Sequence, residues 1–76
     1  MSKKELQQEI INRACRAEAV SKWELELLTV SQLRQLCKEP LIYFGSYGDC
    51  TTKDDFVAHV DGGIRRARMR AGDRHE

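Results

Sequence analysis

The stretch LTVSQLRQLCKEPLIYFGSYGDCTTKDDFVAHV, residues 28–60, carries the pattern around which the rest of the chain is arranged. Its first part opens on the capping-box pattern TVSQ, residues 29–32, in which two side chains satisfy free backbone amides at a helix start. Apolar residues then recur at helical spacing, namely Val30, Leu33, Leu36 and Cys37. Pro40 disfavours helical backbone at the residue before it. We therefore predict a short helix that ends near Glu39.

The second part of the stretch predicts a loop and another helix. Residues 40–51 contain two glycines, which favour a loop, and no other segment has the pattern of a strand that could pair with them. We expect an extended loop whose Leu41 and Ile42 enter the core. TKDD, residues 52–55, repeats the capping pattern ahead of the apolar stripe that starts at Phe56. The loop therefore connects two helices.

The segments on either side extend the helical pattern. SKKE, residues 2–5, caps a predicted long helix over 2–20, whose apolar stripe faces the core or a second copy of the chain. A short helix is expected at 22–27, with Trp23 turned inward. After Val60 the stripe continues through Gly62 and Gly63, which cost about 1 kcal/mol each inside a helix. We therefore predict a helix over 53–61, a kink or break, a second piece over 64–71 and a frayed end.

Length and composition fit one small soluble domain. The chain has 76 residues, of which 41% are hydrophobic and 33% charged, too apolar for a disordered chain. We predict an all-α domain over 1–76. Supporting helices occupy 1–27, a helix–extended loop–helix module occupies 28–61, and a basic tail occupies 62–76. The absence of a long apolar run and the odd number of cysteines, three, favour a cytoplasmic protein with reduced thiols and no membrane partner.

No catalytic or metal-binding pattern is visible. Asp54 and Asp55 are adjacent, so they do not share a helix face as a pair of catalytic carboxylates would. Cys37, Cys50 and His59 lack the closely spaced pairs typical of structural zinc sites. We expect a protein that is not an enzyme and needs no cofactor or metal.

The loop contains three aromatic residues, Tyr43, Phe44 and Tyr47. This is more than a plain linker needs, and two interpretations are open. The rings cap the core, or they form a partly exposed patch that binds a partner.

The module resembles the helix–extended loop–helix units of the SAP and Rho N-terminal-like families. The first helix matches their leucine pattern at Leu28, Thr29, Val30, Leu33, Arg34 and Leu36. Lys53 and Phe56 stand where the family has the lysine and leucine that open the second helix. The resemblance covers residues 28–60 and implies binding to DNA or RNA. It implies that Lys53, in the first turn of its helix, faces a phosphate.

The charge of the chain is concentrated in the tail. Residues 62–76 carry five arginines against Asp73 and Glu76, a net charge of +3, although the whole chain is only +1. Arg65, Arg66, Arg68 and Arg70 fall on one side of a helix, with Ile64 and Ala67 on the other. They form either a solvated face or a set of phosphate contacts.

These patterns predict a non-enzymatic nucleic-acid-binding module. Its predicted contacts are Lys53, Arg65, Arg66, Arg68 and Arg70. The alternative is a small phage- or mobile-element-type inhibitor or adaptor that binds a host protein through Tyr43, Phe44, Tyr47 and the tail. A third possibility is a homo-oligomer built on the first helix.

Overall fold

The chain is all-α, as predicted. The computed structural model describes the backbone of residues 2–73 and the side chains of residues 2–70. Within that range lie helices α1 (Lys3–Cys15), α2 (Lys22–Leu25), α3 (Val30–Cys37) and α4 (Lys53–Asp73), a 3-10 turn at Pro40–Ile42, and no strand. None of these helices is long and apolar enough to cross a lipid bilayer.

The predicted capping boxes start the helices. At α1, the Glu5 amide donates to Ser2 Oγ at 3.2 Å and the Ser2 amide donates to Glu5 Oε1 at 3.3 Å. At α3, Thr29 and Gln32 exchange the same pair of bonds at 3.1 and 2.8 Å. Each pair satisfies amides that have no partner within the helix. Local sequence therefore sets where these helices begin.

The end of the first helix was predicted incorrectly. α1 stops at Cys15 instead of reaching residue 20, because Ala17 adopts a left-handed backbone with φ of 58°. The amide of Glu18 donates to the carbonyl of Arg13 at 2.9 Å, which closes a Schellman-type C-cap. Glycine is the usual residue at this position, so an alanine gives little sequence signal. α2 is also shorter than predicted, and α4 is the longest helix.

The core lies between α3, α4 and the inner face of α1. Leu33 and Leu36 are buried in one cluster with Phe56 and Val60, so the apolar stripes predicted for the two helices of the module share a core. The remaining buried hydrophobic residues are Ile10, Ala14, Val20, Leu25, Leu28, Cys37, Ile42, Val57 and Ile64. α3 and α4 make the most extensive contact in the fold.

Two residues expected in the core are exposed. Trp23 is 62% exposed, because α2 is a single turn whose inward position is taken by Leu25. Leu41 is 55% exposed, because the 3-10 turn directs Ile42 inward instead. At the 3-10 turn the prediction placed two neighbouring apolar residues, Leu41 and Ile42, inside where the local geometry admits one.

α4 is continuous through Gly62 and Gly63, so the predicted break after residue 61 is wrong. A Cβ on Gly63 would lie 2.1 Å from the carbonyl oxygen of Ile42. A Cβ on Gly62 would lie 3.2 Å from Cε2 of Phe44. The glycines therefore let the 3-10 turn and the aromatic loop lie directly against the helix, and this packing offsets their poor helix propensity. Of the segment predicted to fray, Gly72 and Asp73 belong to α4, and residues 74–76 lie outside the described residues.

Candidate nucleic-acid interface

The second half of α4 separates apolar from basic side chains, as its sequence predicted. Ile64 is buried and Ala67 is packed against the core. The four arginines on the other side are all exposed: Arg65, Arg66, Arg68 and Arg70. Met69, 71% exposed, lies among them. The helix therefore presents a basic face to solvent, which we call the arginine face.

Most of the arginine face is free to bind an anion. Arg65 Nε contacts Asp61 Oδ2 at 3.2 Å, one turn earlier on the same helix. Within residues 2–70, the other three arginines form no ion pair with a carboxylate. The guanidinium of Arg66 lies 5.7 Å from the centre of the Phe44 ring, a cation–π contact that leaves its N–H groups available. Three guanidinium groups are therefore not paired with any acid of residues 2–70.

Lys53 lies away from the arginine face. It is exposed at the first position of α4, and Arg65 lies about 18 Å further along the helix axis at 1.5 Å per residue. Asp55 Oδ2 accepts from the amides of Thr51 and Thr52, both at 3.1 Å. A carboxylate thus occupies the amides of the two residues before the helix. Its negative charge beside Lys53 opposes a phosphate at this helix start.

The hydrogen bonds to Asp55 also set its ionisation. The two amides, and the Thr51 hydroxyl at 3.2 Å, stabilise the charged form and lower the pKa of the Asp55 carboxyl below its ordinary value. Asp55 is therefore a structural cap, ionised at neutral pH. The adjacent Asp54 is exposed.

The three aromatic residues of the loop differ in burial. Tyr47 packs against the core, whereas Tyr43 and Phe44 are 54% and 41% exposed. The imidazole of His59 packs edge-on between Phe44 and Tyr47, with ring centres 5.6 and 6.3 Å away. Tyr47 therefore caps the core, whereas Tyr43 and Phe44 are exposed and Phe44 lies beside Arg66.

His59 is half-buried in this cluster. Its Nε2 atom is enclosed and has no hydrogen-bond partner among the side chains and backbone that the structure describes. The surrounding depression is lined by Phe44, Ser46, Asp49, Cys50 and Asp55. The ring serves here as a packing element between two aromatic side chains.

The three cysteines form no disulfide, and their thiols are poorly suited to nucleophilic attack or metal binding. Burial raises the pKa of the Cys37 thiol to about 11, and burial is also the largest cause that raises the pKa of Cys15 and Cys50. All three thiols are therefore protonated at neutral pH, which makes them weak nucleophiles and ligands. Among the described residues, no three His, Cys, Asp or Glu side chains are grouped closely enough to hold a metal ion.

A second feature, which sequence reasoning missed, is a groove between α2 and α4. One wall is formed by residues 19–22 and Glu24, and the other by Asp61, Ile64, Arg65 and Arg68. The groove results from the approach of segments far apart in the chain, so no local pattern predicts it.

Comparison with protein-family models, curated proteins and solved structures finds no match to this chain. The likeness to the SAP and Rho N-terminal-like units therefore rests on the residues of the module alone.

Proposed function

We propose that the protein is a non-enzymatic, cytoplasmic nucleic-acid-binding module that contacts phosphates through the arginine face. The main support for this proposal is that three of the four arginines are exposed and form no ion pair with a carboxylate within residues 2–70. The SAP-like pattern of residues 28–60 supports the same class of ligand. Lys53 contributes a separate and weaker contact, because Asp55 already occupies the neighbouring amides.

The expected binding mode is electrostatic and largely independent of sequence. The guanidinium of arginine donates two hydrogen bonds to phosphate oxygens, and such contacts position a protein without distinguishing the base sequence. Three or four phosphate contacts give a slope of roughly −3 in the logarithm of affinity against the logarithm of salt concentration on duplex DNA. Binding should be weak at physiological salt.

The test is fluorescence anisotropy on labelled DNA and RNA across a salt series. Replacing Arg65, Arg66, Arg68 and Arg70 by Gln should flatten the salt slope, while circular dichroism shows an unchanged helical fold. A matched control replaces four exposed cations elsewhere, Lys3, Lys4, Arg16 and Lys38, and changes net charge equally. Wild-type protein that binds no DNA or RNA in low salt would reject the proposal.

The alternative function is binding to a host protein, as a small phage- or mobile-element-type inhibitor or adaptor. The observation in its favour is that Tyr43 and Phe44 are exposed and that Phe44 lies next to Arg66, an aromatic and arginine combination enriched at interface hot spots. Tyr47 contributes to the same loop but is partly buried. The contact surface would then join the loop to the arginine face.

Affinity capture from host lysate, with and without nuclease, separates the two functions. A captured protein that survives nuclease supports the alternative. In that case Tyr43→Ala or Phe44→Ala should weaken capture by about 2 kcal/mol with helicity retained. Recovery that disappears with nuclease supports nucleic-acid binding instead.

A further inference from the structure

We propose that the groove between α2 and α4 holds a phosphate of the nucleic-acid backbone, contacted by Lys22 from one wall and by Arg65 and Arg68 from the other. This inference rests on the proposed function. It adds a binding residue outside the arginine face and directs the backbone across two helices.

The arginine face divides between two sides of α4. Arg65 and Arg68 line the groove. Arg66 instead contacts the ring of Phe44, with its guanidinium 5.7 Å from the ring centre. Arg70 follows Arg66 by one helical turn, so it lies on the same side of the helix as Arg66. The groove side is therefore the part of the arginine face that can act together with α2.

Lys22 places a third cation in the groove, on the wall opposite α4. It is exposed and is the first residue of α2. Within residues 2–70, neither Lys22 nor Arg68 forms an ion pair with a carboxylate. These two cations are far apart in the chain, and folding brings both to one groove. A phosphate lying between the walls would therefore be attracted from both sides.

The two acids that line the groove already have partners in this chain. Glu24 accepts a hydrogen bond from Arg13 Nη2 and another, at 3.0 Å, from the amide of Ser21. Asp61 Oδ2 contacts Arg65 Nε at 3.2 Å, which leaves the other N–H groups of this guanidinium free to donate. The uncommitted charge in the groove is therefore positive.

The lining of the groove also has an apolar part. It includes Val20 and Ile64, which are both nearly fully buried. Apolar walls of low dielectric concentrate the field of the charges that line a cleft. The groove cations should therefore attract a phosphate more strongly than the same cations would on a flat surface.

The first test measures the salt dependence of binding to a labelled DNA duplex by fluorescence anisotropy. Lys22→Gln should reduce the steepness of the slope of log affinity against log salt concentration by about 0.9, the loss of one phosphate contact. Lys38→Gln is the matched control, because Lys38 is an exposed lysine that does not line the groove. It changes net charge equally and should leave the slope unchanged.

The second test places a carboxylate in the groove. Ala19 is exposed and lines the groove, whereas Ala58 is exposed on α4 and does not line it. Ala19→Glu should weaken binding to the duplex about two- to fivefold more than Ala58→Glu, the effect of one exposed charge pair. Both variants change net charge equally, so the difference between them reports on the groove.

Circular dichroism checks that all four variants keep the helical fold. A slope in Lys22→Gln equal to that of the wild type would overturn the groove assignment and leave the proposed function standing. Equal losses in folded Ala19→Glu and Ala58→Glu would do the same. Wild-type protein that binds neither DNA nor RNA in low salt would reject both proposals.

Discussion

Two adjacent glycines in α4 have different tolerances for a side chain. A methyl group on Gly63 would meet a backbone carbonyl oxygen, whereas one on Gly62 would meet the edge of the Phe44 ring, which can shift. We expect Gly63→Ala to lower the free energy of unfolding by about 1–3 kcal/mol, the usual cost of overpacking. Gly62→Ala should be near neutral, because better helix propensity offsets the ring contact. Urea denaturation measures both, and equal effects would contradict the close approach at Gly63.

Ala17 is a position where glycine should be the better residue. Its left-handed backbone costs an L-residue roughly 1–2 kcal/mol, which glycine does not incur. We expect Ala17→Gly to raise the melting temperature by about 4–8 °C for each kcal/mol recovered. The control is Ala58→Gly, an exposed site inside α4, where the same change should destabilise by about 1 kcal/mol. A loss of stability in Ala17→Gly would contradict the cap geometry.

Two leucines in different environments test the core. Leu33 is fully buried, so Leu33→Ala should cost about 2–5 kcal/mol, which brings so small a domain close to unfolding. Leu41 is mostly exposed, and Leu41→Ala should change stability by no more than about 0.5 kcal/mol. Thermal melts followed by circular dichroism compare them. A melting temperature for Leu33→Ala within a degree or two of wild type would show that the packing is wrong.

At the scale of a secondary-structure element, the start of α4 should respond to acid. The pKa of Asp55 is lowered in the folded state, so its cap stabilises the fold above its ordinary pKa, near 3.8, and is lost as pH falls through the folded value. We expect Asp55→Asn to remove part of the acid sensitivity of unfolding below about pH 4. The adjacent Asp54 makes no capping bond in the structure, so Asp54→Asn should leave the acid sensitivity of unfolding unchanged. Melting curves between neutral and acidic pH supply the comparison.

Helix starts were predictable from sequence, whereas among the ends that of α3, which Pro40 marks, was predictable and that of α1 was not. A capping box such as Thr29 with Gln32 lies within four residues, so local sequence contains all of it. The continuity of α4 depends instead on Ile42 and Phe44 lying against Gly62 and Gly63, a contact between distant segments. The arginine face followed from helical spacing. The α2–α4 groove did not, because it exists only after the chain has folded.

At the scale of the whole molecule, the surface favours a monomer. Within residues 2–70, the exposed large hydrophobic residues are Trp23, Val30, Leu41, Tyr43, Phe44 and Met69. None belongs to α1, whose apolar stripe is used by the core of its own chain. We therefore expect a melting temperature that is constant over about a hundredfold range of protein concentration. A rise with concentration would restore the homo-oligomer built on the first helix.

Because α4 is continuous, it separates negative from positive charge along its axis. Residues 53–61 carry Lys53 against three aspartates, a net charge of −2, and residues 62–73 carry four arginines against Asp73, a net charge of +3. A single helix of about 31 Å, at 1.5 Å per residue, holds these opposite charges apart. Acids at its start and cations towards its end also stabilise the helix, because they lie next to the dipole ends of opposite sign. The electric field of a polyanion should therefore orient the protein before contact, so that the arginine face turns towards the polyanion.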